Sequence, residues 1–393
     1  MTIKYFYLMR PILIYYSVID KKKTKIFGRK FVKNNYNLCW MEINGKKEFL
    51  SEYYDLKIGV REVKLYGFEN VKDASEMFNY TRVIKIMRMN LNKCTNISRM
   101  FSFFQLSELP KEISKWNVSK VEDMTRLFEE CRIIDKLPDI SKWNVGKVRS
   151  MENMFCNCKL LEELPDISKW NISSLVNMAG MFKGCNILRK LPDISKWNTS
   201  KVKDMNHLFD SLFCIEELPN ISKWNVSKVE DMSSIFEICH SLKYLPDISK
   251  WDMKNVKKTY FMFLFCKNLL YLPDISKWEL PNLEDCGVMF SGCRSLSIIP
   301  DITKWKIGNK LDKAEGMFSD CTSLVTIPKN FTLGIFPFNK YYAFEGCISL
   351  SYLPVKDKEY FYSSPFEKYR DNINACNFID EATFFFYDLI QYF

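Results

Sequence analysis

Through the middle of the chain the apolar positions fall every third residue. One stretch reads Val145, Val148, Met151 and Met154, steps once to Phe155, and continues Cys158, Leu161, Leu164, Ile167 and Trp170, with mostly polar residues between. That period matches neither the alternation of a half-buried strand nor the spacing of a helix. It predicts short 3₁₀ turns and extended corners, each a few residues long, wound into a narrow coil. The Leu-x-x-Leu-Pro step is the one strand candidate in each coil. The unit repeats: Leu-Pro-Asp-Ile-Ser-Lys-Trp-Asn at Leu164 to Asn171 returns nearly unchanged at Leu137, Leu191, Leu218, Leu245 and Leu272. Trp116, Trp143, Trp170, Trp197, Trp224, Trp251, Trp278 and Trp305 stand 27 residues apart, and only Trp40 lies outside the series. A fixed period of this length marks units that cannot bury an apolar face alone and stack to do so.

The flanks read differently. Residues 21–55 predict a β-hairpin: Phe27, Phe31 and Val32 come first, then Cys39, Trp40, Met41 and Ile43 lead to Asn44-Gly45, a turn pair that tolerates positive φ. The apolar run Tyr5 to Ile19 is interrupted by Arg10 and Pro11, has only Lys4 as a basic flank, and is followed by no small-residue cleavage site. It therefore reads as a strand of a terminal cap rather than a signal peptide, and it is too short to span a membrane. The expected organisation is an N-terminal cap with a β-hairpin over 1–55, a solenoid over 56–355 and an aromatic-rich C-terminal cap over 356–393. The solenoid would hold about ten regular coils after degenerate early ones.

Charge changes this picture little. Of the net +10, residues 1–50 carry +8, so the repeats are nearly neutral. Lys21, Lys22, Lys23 and Lys25 could meet phosphates, but read more simply as a solvated run. Cysteine changes it more. Cys131, Cys158, Cys185, Cys239, Cys266, Cys293, Cys321 and Cys347 all stand seven residues before a repeat proline, while at Cys214 the residue is displaced by two and Leu212 takes the column. One column of cysteines predicts small buried apolar residues and a reducing compartment, not a disulfide framework. His207 and His240 are the only histidines and no Cys-x-x-Cys occurs, so no metal or cofactor is expected. No glycine-rich phosphate loop, Ser-His-Asp set or Cys with a partner His is visible, which argues against an enzyme. Asp166, Lys169 and their counterparts form acidic and basic columns, expected to pair across coils.

The run Met154 to Asn171, Met-Phe-x-x-Cys-x-x-Leu-x-x-Leu-Pro-Asp-Ile-Ser-Lys-Trp-Asn, resembles the BspA-like leucine-rich-repeat surface-protein family. Met289 to Leu296 and Val229 to Met232 carry the family's Met-Phe-x-Gly-Cys-x-Ser-Leu and Asn-Val-x-x-Met phrases, the latter in part. The resemblance spans about residues 60–355. It implies a leucine-rich-repeat-like right-handed solenoid, with a short parallel strand and a 3₁₀ or helical turn in every repeat, and a role in adhesion or protein binding.

What varies between coils indicates where a site would lie. The position two before the repeat proline reads Glu108, Lys136, Glu163, Lys190 and Glu217, then Tyr244, Tyr271, Ile298, Thr326 and Tyr352. In leucine-rich repeats this position looks out from the sheet. Tyr244, Leu270, Tyr271, Ile298 and Tyr352 are thus the candidate partner-binding stripe. The functional expectation is a non-catalytic interaction module or scaffold binding one protein partner, monomeric and intracellular, without a small-molecule substrate, nucleic acid or membrane span. A secreted or surface adhesin is the alternative, and a nucleic-acid-associated protein using the basic N-terminus a second.

Overall fold

The computed structural model describes residues 10–328 and 343–351. Regular secondary structure is concentrated near the N-terminus and is antiparallel. Strands β1 (Ile12–Val18), β3 (Trp40–Ile43), β4 (Lys46–Phe49), β6 (Gly59–Tyr66) and β7 (Val83–Met87) form a five-stranded sheet in the order β4-β3-β6-β1-β7. Strands β2 (Thr24–Lys25) and β5 (Tyr53–Tyr54) pair separately. Strict alternation in β1 sends Ile12, Ile14, Tyr16 and Val18 into the core. The β3–β4 turn is Asn44-Gly45, both at positive φ. Phe31 and Val32 lie not on a strand but in α1 (Arg29–Asn35), the one α-helix among the described residues. Phe27, just before the helix, packs ring to ring with Phe31 at 5.3 Å, while Asn35 Nδ2 donates to the Asp73 carbonyl of the first repeat.

The repeats overturn the expected solenoid architecture. A leucine-rich-repeat-like coil would show a parallel strand and a 3₁₀ or helical turn in each unit. Instead, within 56–355 the first strands, β6 and β7, belong to the antiparallel sheet, the only later strands described are β8 (Glu279–Leu280) and β9 (Lys306–Ile307), two residues each, and 3₁₀ turns occur at Phe68–Asn70, Lys111–Lys115 and Ile302–Lys304. The main sheet is the antiparallel one, neither closed nor curled by its topology. The descriptors leucine-rich repeat, solenoid and BspA-like therefore do not fit the structure. The physical reason lies in the backbone bonds. Between Met124 and Cys131 every second N–H closes a local turn, as Leu127 to Met124 O and Glu129 to Arg126 O. The alternate ones, Met124, Arg126, Phe128 and Glu130, donate to Ser150, Glu152, Met154 and Cys156 of the next repeat. With half its groups spent on turns, the backbone forms isolated parallel bridges with its neighbours, for example Asp123↔Ser150 and Ser150↔Asn177, and a two-residue parallel pair at β8 and β9.

Successive repeats are nonetheless laid in register, and three buried columns hold them. Phe101, Phe128, Phe155, Phe182, Phe209, Phe236, Phe263, Phe290, Phe318 and Phe344 stack with centroids 5.2 to 6.0 Å apart. Each indole from Trp143 to Trp305 donates Nε1–H to an isoleucine carbonyl of the preceding repeat, as Trp197 to Ile167 O at 3.3 Å. The column thiols do likewise. Cys158 Sγ meets Phe128 O at 3.2 Å and Cys239 Sγ meets Phe209 O at 3.1 Å, so each thiol reaches a buried carbonyl of the preceding repeat; Phe128 O also accepts the Cys131 N–H of its own turn. Among the described residues no disulfide forms, and burial pushes the Cys185 thiol up to about 12.

Candidate functional site

Two places break the repetition. The first is the row two residues before each repeat proline. Lys136 bridges to Glu163 through the backbone, with Nζ 3.9 Å from the carboxylate, and Glu217 bridges to Tyr244. From there the row turns apolar. Tyr244 is 43 % exposed, Leu270 40 %, Tyr271 57 % and Ile298 59 %, and the two tyrosine rings lie 5.2 Å apart. Tyr352 and the whole expected cap over 356–393 lie outside the described residues. Single backbone bonds rather than a sheet position the row: Leu270 N–H donates to Lys243 O and Val325 N–H to Ser297 O. Val325, 49 % exposed, extends the apolar surface and was not among the sequence candidates. An ion pair, Lys243 Nζ to Glu216 Oε2 at 2.7 Å, borders it on the charged side. All four described candidates are thus exposed along one line of repeats.

The second place is a charged cluster in the turn column. Lys183 Nζ lies 3.0 Å from Asp210 Oδ2, and His207 Nδ1 lies 2.8 Å from the same oxygen and 3.7 Å from Glu237 Oε2. Ser211 donates its hydroxyl to Asp210 Oδ1 at 2.7 Å. Lys183, Asp210 and Glu237 are equivalent positions of three consecutive repeats, so stacking brings them together. Burial works against the Asp210 carboxylate, but the His207 hydrogen bond and the Lys183 charge outweigh it and hold the carboxyl below its usual range. At Glu237 burial, then the neighbouring Asp210, outweigh the pull of Ser234, His207 and Lys183 and push the carboxyl up to about 7. A single charged column reading Lys, Asp, Glu was the sequence signal for this cluster, visible only once the repeats are aligned at their prolines.

The expected pairing of the Asp and Lys columns across coils is not the use the Asp residues are put to. Asp139, Asp166, Asp193, Asp247 and Asp274 each accept the N–H of the serine two residues on, closing a turn within their own repeat. Asn220 does the same to Ser222. These are structural residues. No helix among the described residues is long and apolar enough to cross a membrane.

A family described as Mycoplasma protein of unknown function, DUF285, matches residues 49–162, 72–191, 134–215 and 212–331. Those matches span well over half of the sequence, and the chain belongs to that family. No curated protein matches it. Among solved structures, a leucine-rich repeat protein from Bacteroides ovatus is similar at 17% identity, over 61% of this chain and 84% of that one, with a TM-score of 0.15.

Proposed function

We propose that this member of a repeat family of unknown function is a non-catalytic protein-binding module, and that it engages its partner through the row Tyr244, Leu270, Tyr271 and Ile298. The observation that carries this reading is the exposure of four large apolar side chains in a line, two of them tyrosines in ring contact. Isolated exposed apolar residues are ordinary, whereas a contiguous row with a charged border has the anatomy of an interface: apolar anchors and a polar rim. The partner is a protein presenting a complementary apolar patch. The surface depressions offer less to a small substrate. One, of about 480 Å³, is lined by the charged residues Lys258, Glu284, Asp285, Lys310, Asp312 and Lys313, without the hydrophobic and aromatic side chains of a small-molecule site.

The test is a partner screen run with three proteins: wild type, Tyr244→Ser/Tyr271→Ser, and Glu163→Lys/Lys190→Glu. Anchors near the centre of an interface carry most of its energy, whereas rim charges alter mainly the association rate. The tyrosine variant should lose the partner while keeping its melting temperature, and the charge-swapped variant should retain it. Undiminished binding by the tyrosine variant refutes the proposal.

A further inference from the structure

The repeat that contains His207 is irregular twice over. It is the one in which Leu212 replaces the column cysteine, and it places one of the chain's two histidines beside a buried carboxylate. We infer that His207, Asp210 and Glu237 form a binding site for a single divalent transition-metal ion, zinc being the ion whose geometry they fit, with Lys183 as the cation that holds the site when no metal is bound. This goes beyond the protein-binding reading and is independent of it.

Geometry comes first. The imidazole Nδ1 and one oxygen from each carboxylate all lie within 4.8 Å of one another. Tetrahedral zinc with bonds of about 2.0–2.1 Å separates its donor atoms by roughly 3.3 Å. The observed separations from Nδ1, 2.8 Å to Asp210 and 3.7 Å to Glu237, bracket that value. One imidazole and two carboxylates carry two negative charges, matching a dication. A second observation points the same way. Ser234, one repeat beyond His207 in its column, is fully buried, and its hydroxyl lies against Glu237 without a well-formed hydrogen bond. Buried hydroxyls rarely go unpartnered, and this one could serve a metal-bound water.

Lys183 is the apparent objection and supplies the sharpest test. Its ammonium stands 3.0 Å from Asp210 and 3.2 Å from His207 Nδ1. Nδ1 faces both the Asp210 oxygen at 2.8 Å and the Lys183 ammonium at 3.2 Å. A metal bound at Nδ1 requires the imidazole proton on Nε2 and displaces the ammonium. The Lys183 side chain is 34 % exposed, so its head can swing into water on a flexible stem. Lysine and metal thus compete for one place, and removing the lysine charge must strengthen metal binding.

The experiment is equilibrium dialysis of the full chain against Zn²⁺ at neutral pH, with Co²⁺ as the spectroscopic probe. The expected result is one ion per chain, bound at least about tenfold more tightly by Lys183→Met than by wild type, a change of 1.4 kcal/mol. His207→Asn should abolish binding and Glu237→Gln weaken it, with circular dichroism verifying the fold of each. Cobalt should show no thiolate charge-transfer band. Lys183→Gln stands in should Lys183→Met not fold. The inference is overturned by uptake unchanged in His207→Asn, by a thiolate band placing the ion on cysteine, or by no uptake in a folded Lys183 variant.

Discussion

Removing the Trp197 indole in two steps separates the two things it does. The ring is 4 % exposed, and its Nε1–H meets the Ile167 carbonyl at 3.3 Å. A buried indole takes roughly 150–250 Å² out of water. At about 25 cal/mol per Å² that is ~4–6 kcal/mol as an upper bound, and tryptophan-to-alanine changes in cores cost about 3–5 kcal/mol. Trp197→Ala should therefore lose about 3–5 kcal/mol. Trp197→Phe keeps most of the apolar burial but removes one of the two hydrogen bonds that Ile167 O accepts, the other coming from Trp170 N–H, which should cost about 0.5–1.5 kcal/mol. Urea unfolding followed by far-ultraviolet circular dichroism measures both, because the remaining tryptophans would confuse a fluorescence signal. A defect at mid-stack should also split the transition, since each repeat is supported only by its neighbours. Trp197→Phe within about 0.5 kcal/mol of wild type would refute the claim that the indole N–H helps to hold the stack. Equal losses in the two variants would refute the burial arithmetic.

Other consequences follow from the columns. Burial shields the column thiols and pushes that of Cys185 up to about 12, so an alkylating reagent should leave them unmodified until the protein unfolds; Cys214, half-buried, should be modified first among the described cysteines, and adding reductant should leave the melting temperature unchanged. Hydrogen bonds from the Ser195 hydroxyl and N–H hold the Asp193 carboxyl below its usual range, as those from Ser168 do for Asp166. The stability these groups contribute is present above the ordinary aspartate pKa and lost as pH falls through the lowered one, so acid titration should destabilise the wild type. Asp193→Asn, which keeps the turn as Asn220 does, should flatten that acid limb and leave stability at neutral pH nearly unchanged. Ile238 is a β-branched residue at φ 55, where the equivalent positions in other repeats are Gly184, Gly292 and Gly346; Ile238→Gly should raise stability by about 1 kcal/mol by releasing that strain, as judged by the urea midpoint.

What the sequence made legible was the period and its register, and the reason is physical. Columns of identical side chains can be aligned without knowing the path of the backbone between them. The path itself was not legible. A Leu-x-x-Leu-Pro step is compatible with a strand, but it does not say whether alternate N–H groups close local turns, as Leu127 to Met124 O does here. Family phrases such as that at Met289 to Leu296 describe side chains, and the turn-built repeats bury those as well as a strand would. At the N-terminus, β6 and β7 reach β1 across dozens of residues, a pairing with no local signature. The spacing of Phe27, Phe31 and Asn35 is helical, yet the Asn-Gly turn nearby drew Phe31 into a strand reading. Tryptophan drew attention as the ruler, while the continuous ring stack belongs to phenylalanine. The step of one at each Met-Phe pair hides that column from a search for period three.

The two site candidates show the same division. The row from Tyr244 to Ile298 was found because the proline fixes the register and a change of residue type along one column is visible by inspection. Val325 escaped because it stands three residues before its proline, one residue outside the row read along the repeats. The cluster at His207 escaped for a different reason: Asp210 and Glu237 are ordinary surface residue types, and only burial gives them chemistry. In a stack of near-identical units, energy common to every repeat serves the stack. A group that serves something else must differ from its column neighbours and must cost stability, as a buried pair of carboxylates does. Lys183, Asp210 and Glu237 replace one another at equivalent positions where other repeats carry Cys156, Leu264 or Ser291. Cys156 and Leu264 would be cheaper to bury at each of those places. Glu129 in the same column is also a buried carboxylate, but Arg126 pairs with it at 3.0 Å; the departure that has a histidine beside it is the position to load with metal first.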